Sequence, residues 1–249
     1  MKTLKENIAN IFTLGNLFFG CAAIVQAFNG KLDSLKIAGV YIFVAAIIDF
    51  FDGFVARILK VESEIGKQLD SLADVVSFGV APGLIVFQIL NYILYYSNHS
   101  NDWYKYLVYV SFLIPLAAAY RLAKFNVSTE QKFYFMGVPT PAVGVTIASF
   151  ALALFYNPNR WLSGYLLDGR FLLITTVVLS FLMVSNVKIM ALKFKSYKIE
   201  DNIDKLILLV GVFIIISFQK QAAGLFVFAW YFIISVYNHY LSKSRNNYL

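Results

Sequence analysis

Asp49-Phe-Phe-Asp-Gly-Phe-Val-Ala-Arg57, eight further residues, then Gly66-Lys-Gln-Leu-Asp70-Ser-Leu-Ala-Asp74 is the stretch on which the reading of this chain turns. At 100° per helical residue, Asp49, Asp52, Gly53, Ala56 and Arg57 share one face. Gly66, Asp70, Asp74 and Ser77 share another. The segment between them carries Lys60, Glu62, Ser63 and Glu64 and reads as a short polar connection. The spacing predicts two antiparallel neighbouring helices whose carboxylate faces meet at one end.

The surrounding sequence says what kind of helices these are. Hydrophobic residues make up 59% of the 249 positions, charged residues 14%, and mean hydropathy is +0.68. A soluble domain is nearer half apolar and a quarter charged. The apolar excess falls in blocks of about 20 residues, the length that spans a hydrocarbon core. The predicted fold is all-α: a polytopic membrane bundle of about eight spans, near 8–28, 35–57, 69–96, 103–124, 139–157, 171–191, 203–219 and 222–241. The first block is too long for a signal h-region and lacks a small-residue cleavage site, so it reads as a retained helix. No internal repeat is visible.

Charge sets the expected orientation. With the N-terminus inside, most of the 21 Lys and Arg fall on the inner side, which puts both termini in the cytoplasm. The net charge of +7 then reports topology and contact with anionic headgroups rather than nucleic acid. Trp103, Tyr104, Tyr106 and Tyr109, with Tyr92, Tyr95 and Tyr96, read as an outer aromatic belt. The single cysteine, Cys21, excludes an internal disulfide and a cysteine metal site, and reads as a packing residue. His99 and His239 belong to no ligand pattern.

An ionised Asp deep in a membrane helix costs about 2.5–3.5 kcal/mol on insertion scales. Four together also repel one another, so cations must neutralise them. An all-oxygen donor set suits Mg²⁺ or Mn²⁺, with Ca²⁺ also compatible. Four carboxylates balance two divalent ions, and a two-metal clamp serves displacement at phosphorus by stabilising attacking and leaving oxygens. Gly53, Ala56 and Gly66 leave room beside the carboxylates for a nucleotide diphosphate. Arg57 offers a planar donor fork suited to its phosphate oxygens.

The string D-x2-D-G-x2-A-R-x8-G-x3-D-x3-D resembles, at every position, the signature of the CDP-alcohol phosphatidyltransferase family. Phe12-Thr-Leu-Gly-Asn-Leu-Phe-Phe-Gly20, Ser71 to Pro82, Tyr120 to Asn126, Gly137-Val-Pro-Thr-Pro141 and Leu182-Met-Val-Ser185 are similar to its phosphatidylserine synthase branch. Lys124 and Leu72 depart from the usual arginine and phenylalanine while keeping charge or bulk. The resemblance covers roughly residues 8 to 195. It implies that Asp49, Asp52 and Asp70 hold metal, and that Asp74 completes the metal site and acts as general base. It implies further that the nucleotide lies against Gly53, Ala56 and Gly66, with Arg57 near the pyrophosphate. The implied reaction converts CDP-diacylglycerol and L-serine to phosphatidylserine and CMP in the inner membrane, with the active site facing the cytoplasm and the protein a homodimer. The implied domain is 1–195, with 196–249 a C-terminal hairpin of the same unit, serving as scaffold or dimer surface.

Further residues complete the expectation. Thr13 and Asn16, at i and i+3 on the first span, either touch the CDP-lipid or serve as interhelical packing glue. Arg121 and Lys124 either receive the serine carboxylate, assisted by Asn126 or Ser185, or are ordinary interface anchors. Pro139 and Pro141 shape the start of the fifth span. One rival is the same chemistry with glycerol 3-phosphate or inositol phosphate as acceptor. Another is an ion or proton transporter, whose carboxylates would sit near the midplane on broken helices within repeats.

Overall fold

Long apolar runs become long helices here, two of them with a proline inside, Pro82 and Pro115. A computed structural model describes residues 2–59, 63–96, 102–127, 134–156, 160–190, 202–220 and 223–246. Helix α1 runs Lys2–Phe28 and α2 Leu32–Leu59. Helix α3, Glu64–Asp74, continues through a π-helical stretch, Val75–Val80, into α4, Ala81–Tyr96. A 3₁₀ segment, Asp102–Phe112, leads into α5, Leu113–Val127. Then follow strand β1 (Tyr134–Met136), α6 (Thr140–Tyr156), α7 (Arg160–Leu166), α8 (Gly169–Val184), strand β2 (Lys188–Met190), α9 (Ile203–Gln219) and α10 (Ala223–Asn246).

Asn10–Phe28, Glu64–Tyr96 and Lys105–Val127 are long and apolar enough to cross a membrane; Thr140–Tyr156, Gly169–Val184 and Ala223–Asn238 are apolar but shorter. Their outer faces suit lipid rather than water: Phe18 and Phe181 are each 67% exposed and Leu116 65%. Cys21, expected to pack inside, is exposed on α1. Tyr92, Tyr95, Tyr96, Tyr106 and Tyr109 are all exposed, as an interfacial belt requires. The connection at 60–62, His99 and the division at 195/196 lie outside the described residues.

The bundle differs from the simple reading in four places. The span expected over 171–191 ends as helix at Val184. Ser185 turns extended there (φ −66°, ψ 160°), its Oγ donates to the Leu182 carbonyl and accepts from the Val187 N–H, and the chain leaves as β2. β2 pairs antiparallel with β1, Met136 opposite Lys188 and Tyr134 opposite Met190. Gly137, at φ +74°, closes this corner: a Cβ there would collide with the Met183 carbonyl. The expected span 69–96 begins at Glu64, capped by the Ser63 Oγ, which accepts from the Gly66 N–H at 2.9 Å.

The other two differences concern how the helices meet. Inside the third span, the Ala81 N–H bonds the Val76 carbonyl, five residues back. Pro82 follows directly, and its ring displaces the carbonyl four residues earlier, so a wider turn accommodates it. Lastly, α2 packs along α1 and against α6 rather than along α3, while α1 also packs on α3 and the π stretch. The carboxylate-bearing helices therefore converge beside α1 instead of pairing directly.

Candidate active site

Asp49 and Asp52 project from one face of α2, and Asp70 and Asp74 from one face of α3, as helical spacing requires. One carboxylate oxygen from each of Asp49, Asp70 and Asp74 lies within 4.8 Å of the others. Asp52 and Asp74 are buried, whereas Asp49 and Asp70 are half-buried, so the cluster is open on one side. Asp52 stands beside this trio, within electrostatic reach of Asp49 and Asp70.

Helix α1 supplies the groups that hold the acids in place. The Thr13 hydroxyl donates to Asp52 Oδ2 at 3.0 Å. The Asn16 amide donates to Asp49 Oδ1 and to Asp74 Oδ1, each at 3.3 Å, and so bridges α2 and α3. The Ser77 hydroxyl, carried by the π stretch, donates to the Asn16 carbonyl at 3.0 Å. The close approach there depends on Gly20: a Cβ at that position would stand 2.8 Å from the Ser77 Cα. The wide turn thus re-aims the chain just after the last acid, a common use of π geometry.

Three acids this close repel one another when ionised, so bound protons or a cation must relieve the charge. Among the described residues the one ion pair is Lys36–Asp33, far along the sequence from the cluster. Asn16 Oδ1 is fully buried and has no hydrogen-bond partner. Neither His nor Cys joins the acids. Three carboxylates and an idle amide oxygen fit a hard, oxygen-seeking divalent cation.

The motif's small residues behave differently from one another. A Cβ on Gly53 would meet nothing within 4 Å, which leaves open space beside the acids. Ala56 is half-buried one turn further. A Cβ on Gly66 would instead stand 2.9 Å from the capping Ser63 Oγ and 3.1 Å from Asn10 Oδ1, so its smallness serves the cap and α1. Arg57 is exposed, and its Nε donates to the Gly53 carbonyl at 2.8 Å.

A second feature lies against the bundle's α5 and α8. Arg121, Lys124, Met136, Met183 and Ser185 line one small cleft. Arg121 is only 9% exposed; its Nη1 donates to the Thr140 Oγ1 at 3.0 Å, and its Nε has no partner. Asp74 lies within its electrostatic reach. Lys124 is exposed and donates to Asn186 Oδ1 at 3.0 Å. Asn126 stays apart from this cleft: its amide donates to the Ser71 Oγ at 2.8 Å and its carbonyl accepts from Lys67 Nζ, tying α5 to α3.

The chain's segment 6–182 matches the CDP-alcohol phosphatidyltransferase family, and all the acids described fall within it. The chain belongs to that family. Among named CDP-alcohol phosphatidyltransferases, it is 32% identical over 228 residues to the CDP-diacylglycerol–serine O-phosphatidyltransferase of Helicobacter pylori, covering 90% of this chain and 87% of that one. The Bacillus subtilis protein of the same name is 32% identical over 178 residues, covering 72% and 86%. The archaetidylserine synthase of Methanothermobacter thermautotrophicus is 31% identical over 183 residues, covering 73% and 68%.

The sequence pattern singles out Pro139 and Pro141 but not Thr140 between them. It is fully buried between Pro139 and Pro141 and receives the Arg121 hydrogen bond. Its only signal was its place between two prolines that fix the backbone at the start of α6. Asn10, beside Gly66, was also missed, although it lies one turn before Thr13 on the same face of α1.

Proposed function

We propose that this chain is a CDP-diacylglycerol–serine O-phosphatidyltransferase, an integral membrane enzyme of about eight spans with both termini and its active site on the cytoplasmic side of the inner membrane, working as a homodimer. The observation that carries the reading is the pairing of two sites: a trio of acids within 4.8 Å and, within its electrostatic reach, a buried arginine lining a small cleft. The names of the relatives point to the same donor and acceptor.

Asp49, Asp52, Asp70 and Asp74 hold two divalent ions, Mg²⁺ or Mn²⁺, with Asn16 Oδ1 available as a further oxygen. When bound, such ions neutralise the pyrophosphate and the charge that develops on the leaving phosphate. The cytidine diphosphate lies along the open flank of α2 at Gly53 and Ala56, with Arg57 near its phosphates. Its diacylglycerol chains remain in the bilayer.

The acceptor enters from the cytoplasm. Arg121, assisted by Lys124 and Ser185, receives the serine carboxylate, since a buried guanidinium without an ion-pair partner gains most from an incoming anion. Asp74 takes the proton of the serine hydroxyl as that oxygen attacks the lipid-side phosphorus. The new P–O bond forms to serine while the P–O bond to CMP breaks, and CMP leaves with the electron pair. Asp74 suits this role because it is the member of the acid trio within electrostatic reach of Arg121, so both substrates reach it.

Purified protein in mixed micelles, given CDP-diacylglycerol, Mn²⁺ and labelled serine, glycerol 3-phosphate or inositol phosphate, tests the reading. Phosphatidylserine and CMP in equal amounts are expected. Incorporation of a phosphate-bearing acceptor in place of serine overturns the choice of acceptor, and absence of CMP release with every acceptor, in folded protein, overturns the enzyme.

A further inference from the structure

The family match stops at residue 182, inside α8, so β2 and α10 lie beyond the matched segment. They nevertheless complete the wall of the Arg121 cleft. Met136 of β1 lines that cleft, and among the described residues β1 is held by its ladder to β2 and by the corner at Gly137, whose N–H donates to the Val187 carbonyl at 2.9 Å. Two strands of three residues each have little stability of their own. Something must hold β2.

Helix α10 does so at one residue. The Tyr231 hydroxyl donates to the Met190 carbonyl at 2.9 Å, and the Asn238 amide contacts the Met190 Sδ at 3.4 Å. Ile189 is fully buried beneath the ladder. The Tyr231 ring is half-buried, and its hydroxyl lies within electrostatic reach of the Arg121 guanidinium. Helix α10 is seated by a close approach to α6, where a Cβ on Gly224 would collide with the Ser149 side chain. The same helix α6 presents Thr140 to Arg121.

We infer that α10 is an acceptor-side clamp, and that Tyr231 is a positioning residue for acceptor recognition: it fixes β2, and through it the β1 wall opposite Arg121. The C-terminal hairpin is thus part of the acceptor specificity apparatus rather than plain scaffold. The inference rests on the Arg121 cleft being the acceptor site. It assigns no role to α10 in holding the CDP-lipid, because the acids are held by α1, α2 and α3.

The test is a kinetic split in purified Tyr231→Phe enzyme, which keeps the ring and removes only the hydrogen bond. Serine KM should rise by about three- to tenfold, the worth of one neutral hydrogen bond, with kcat and the CDP-diacylglycerol KM within about twofold of wild type. An unchanged serine KM, or a CDP-diacylglycerol KM that rises in step, overturns the clamp. Arg121→Ala run in parallel separates the two readings. If it raises serine KM while Tyr231→Phe does not, the clamp alone fails. If Arg121→Ala leaves serine KM unchanged, the acceptor cleft itself is wrong and the clamp falls with it.

Discussion

Asn16 gives the sharpest test of how the acids are organised. Its amide nitrogen holds Asp49 and Asp74 at once, and the side chain is fully buried. Asn16→Ala removes both bonds while the Ser77 bond to the backbone carbonyl of residue 16 survives, so α1 stays seated on the π stretch. Hydrogen bonds to charged groups are worth about 1.5–3 kcal/mol. At 3.3 Å both are long, so the lower figure applies to each. Losing about 3 kcal/mol of organisation, at about 1.4 kcal/mol per decade, lowers kcat/KM for CDP-diacylglycerol roughly 150-fold. The assay is CMP release at saturating serine, with thermal unfolding in detergent as the check on folding. Asn16→Asp replaces the donor by another carboxylate and should lose at least as much. A folded Asn16→Ala enzyme within about threefold of wild type refutes the bridging role.

Other substitutions separate packing from chemistry. Thr13→Val keeps the shape and removes one bond to Asp52, so kcat/KM should fall about three- to tenfold with little change in melting temperature. Gly53→Leu places its side chain in open space; stability should hold within about 1 kcal/mol while CDP-diacylglycerol KM rises at least about tenfold, as measured by initial rates. Gly20→Ala does the reverse: its Cβ meets Ser77, and unfolding experiments should register a loss of about 1–3 kcal/mol.

The acids were legible because helix period converts spacing into a shared face, and α2 and α3 are helical through Asp49, Asp52, Asp70 and Asp74. Thr13 and Asn16 were legible for the same reason, as i and i+3 on α1. Their role as props for Asp49, Asp52 and Asp74 was not, because pairing between helices is a tertiary fact that periodicity does not carry. The end of α8 was misjudged because Val187, Ile189 and Met190 carry apolar residues on past Ser185 and Asn186, and a three-residue strand has no period to detect. The pairing that makes it a strand comes from β1, about fifty residues earlier. The π stretch had a signal in Pro82, read from the sequence only as the end of the Ser71 to Pro82 segment that resembles the phosphatidylserine synthase branch. Asn126 looked like a partner of Arg121 by proximity in sequence, yet two residues past Lys124 it falls on a different face of α5 and bonds Ser71 on α3. Tyr231 was invisible, since nothing in α10 departs from an ordinary apolar helix.

Cation binding tests the central claim without relying on turnover. Metal-stripped, detergent-solubilised protein is titrated with Mn²⁺ in the presence of CDP, and free Mn²⁺ is followed by electron paramagnetic resonance. Saturable binding is expected in the wild type, weakened at least about tenfold in Asp49→Asn, Asp70→Asn and Asp74→Asn alike. Wild-type affinity in any of these three, in folded protein, contradicts a cation held jointly by the trio.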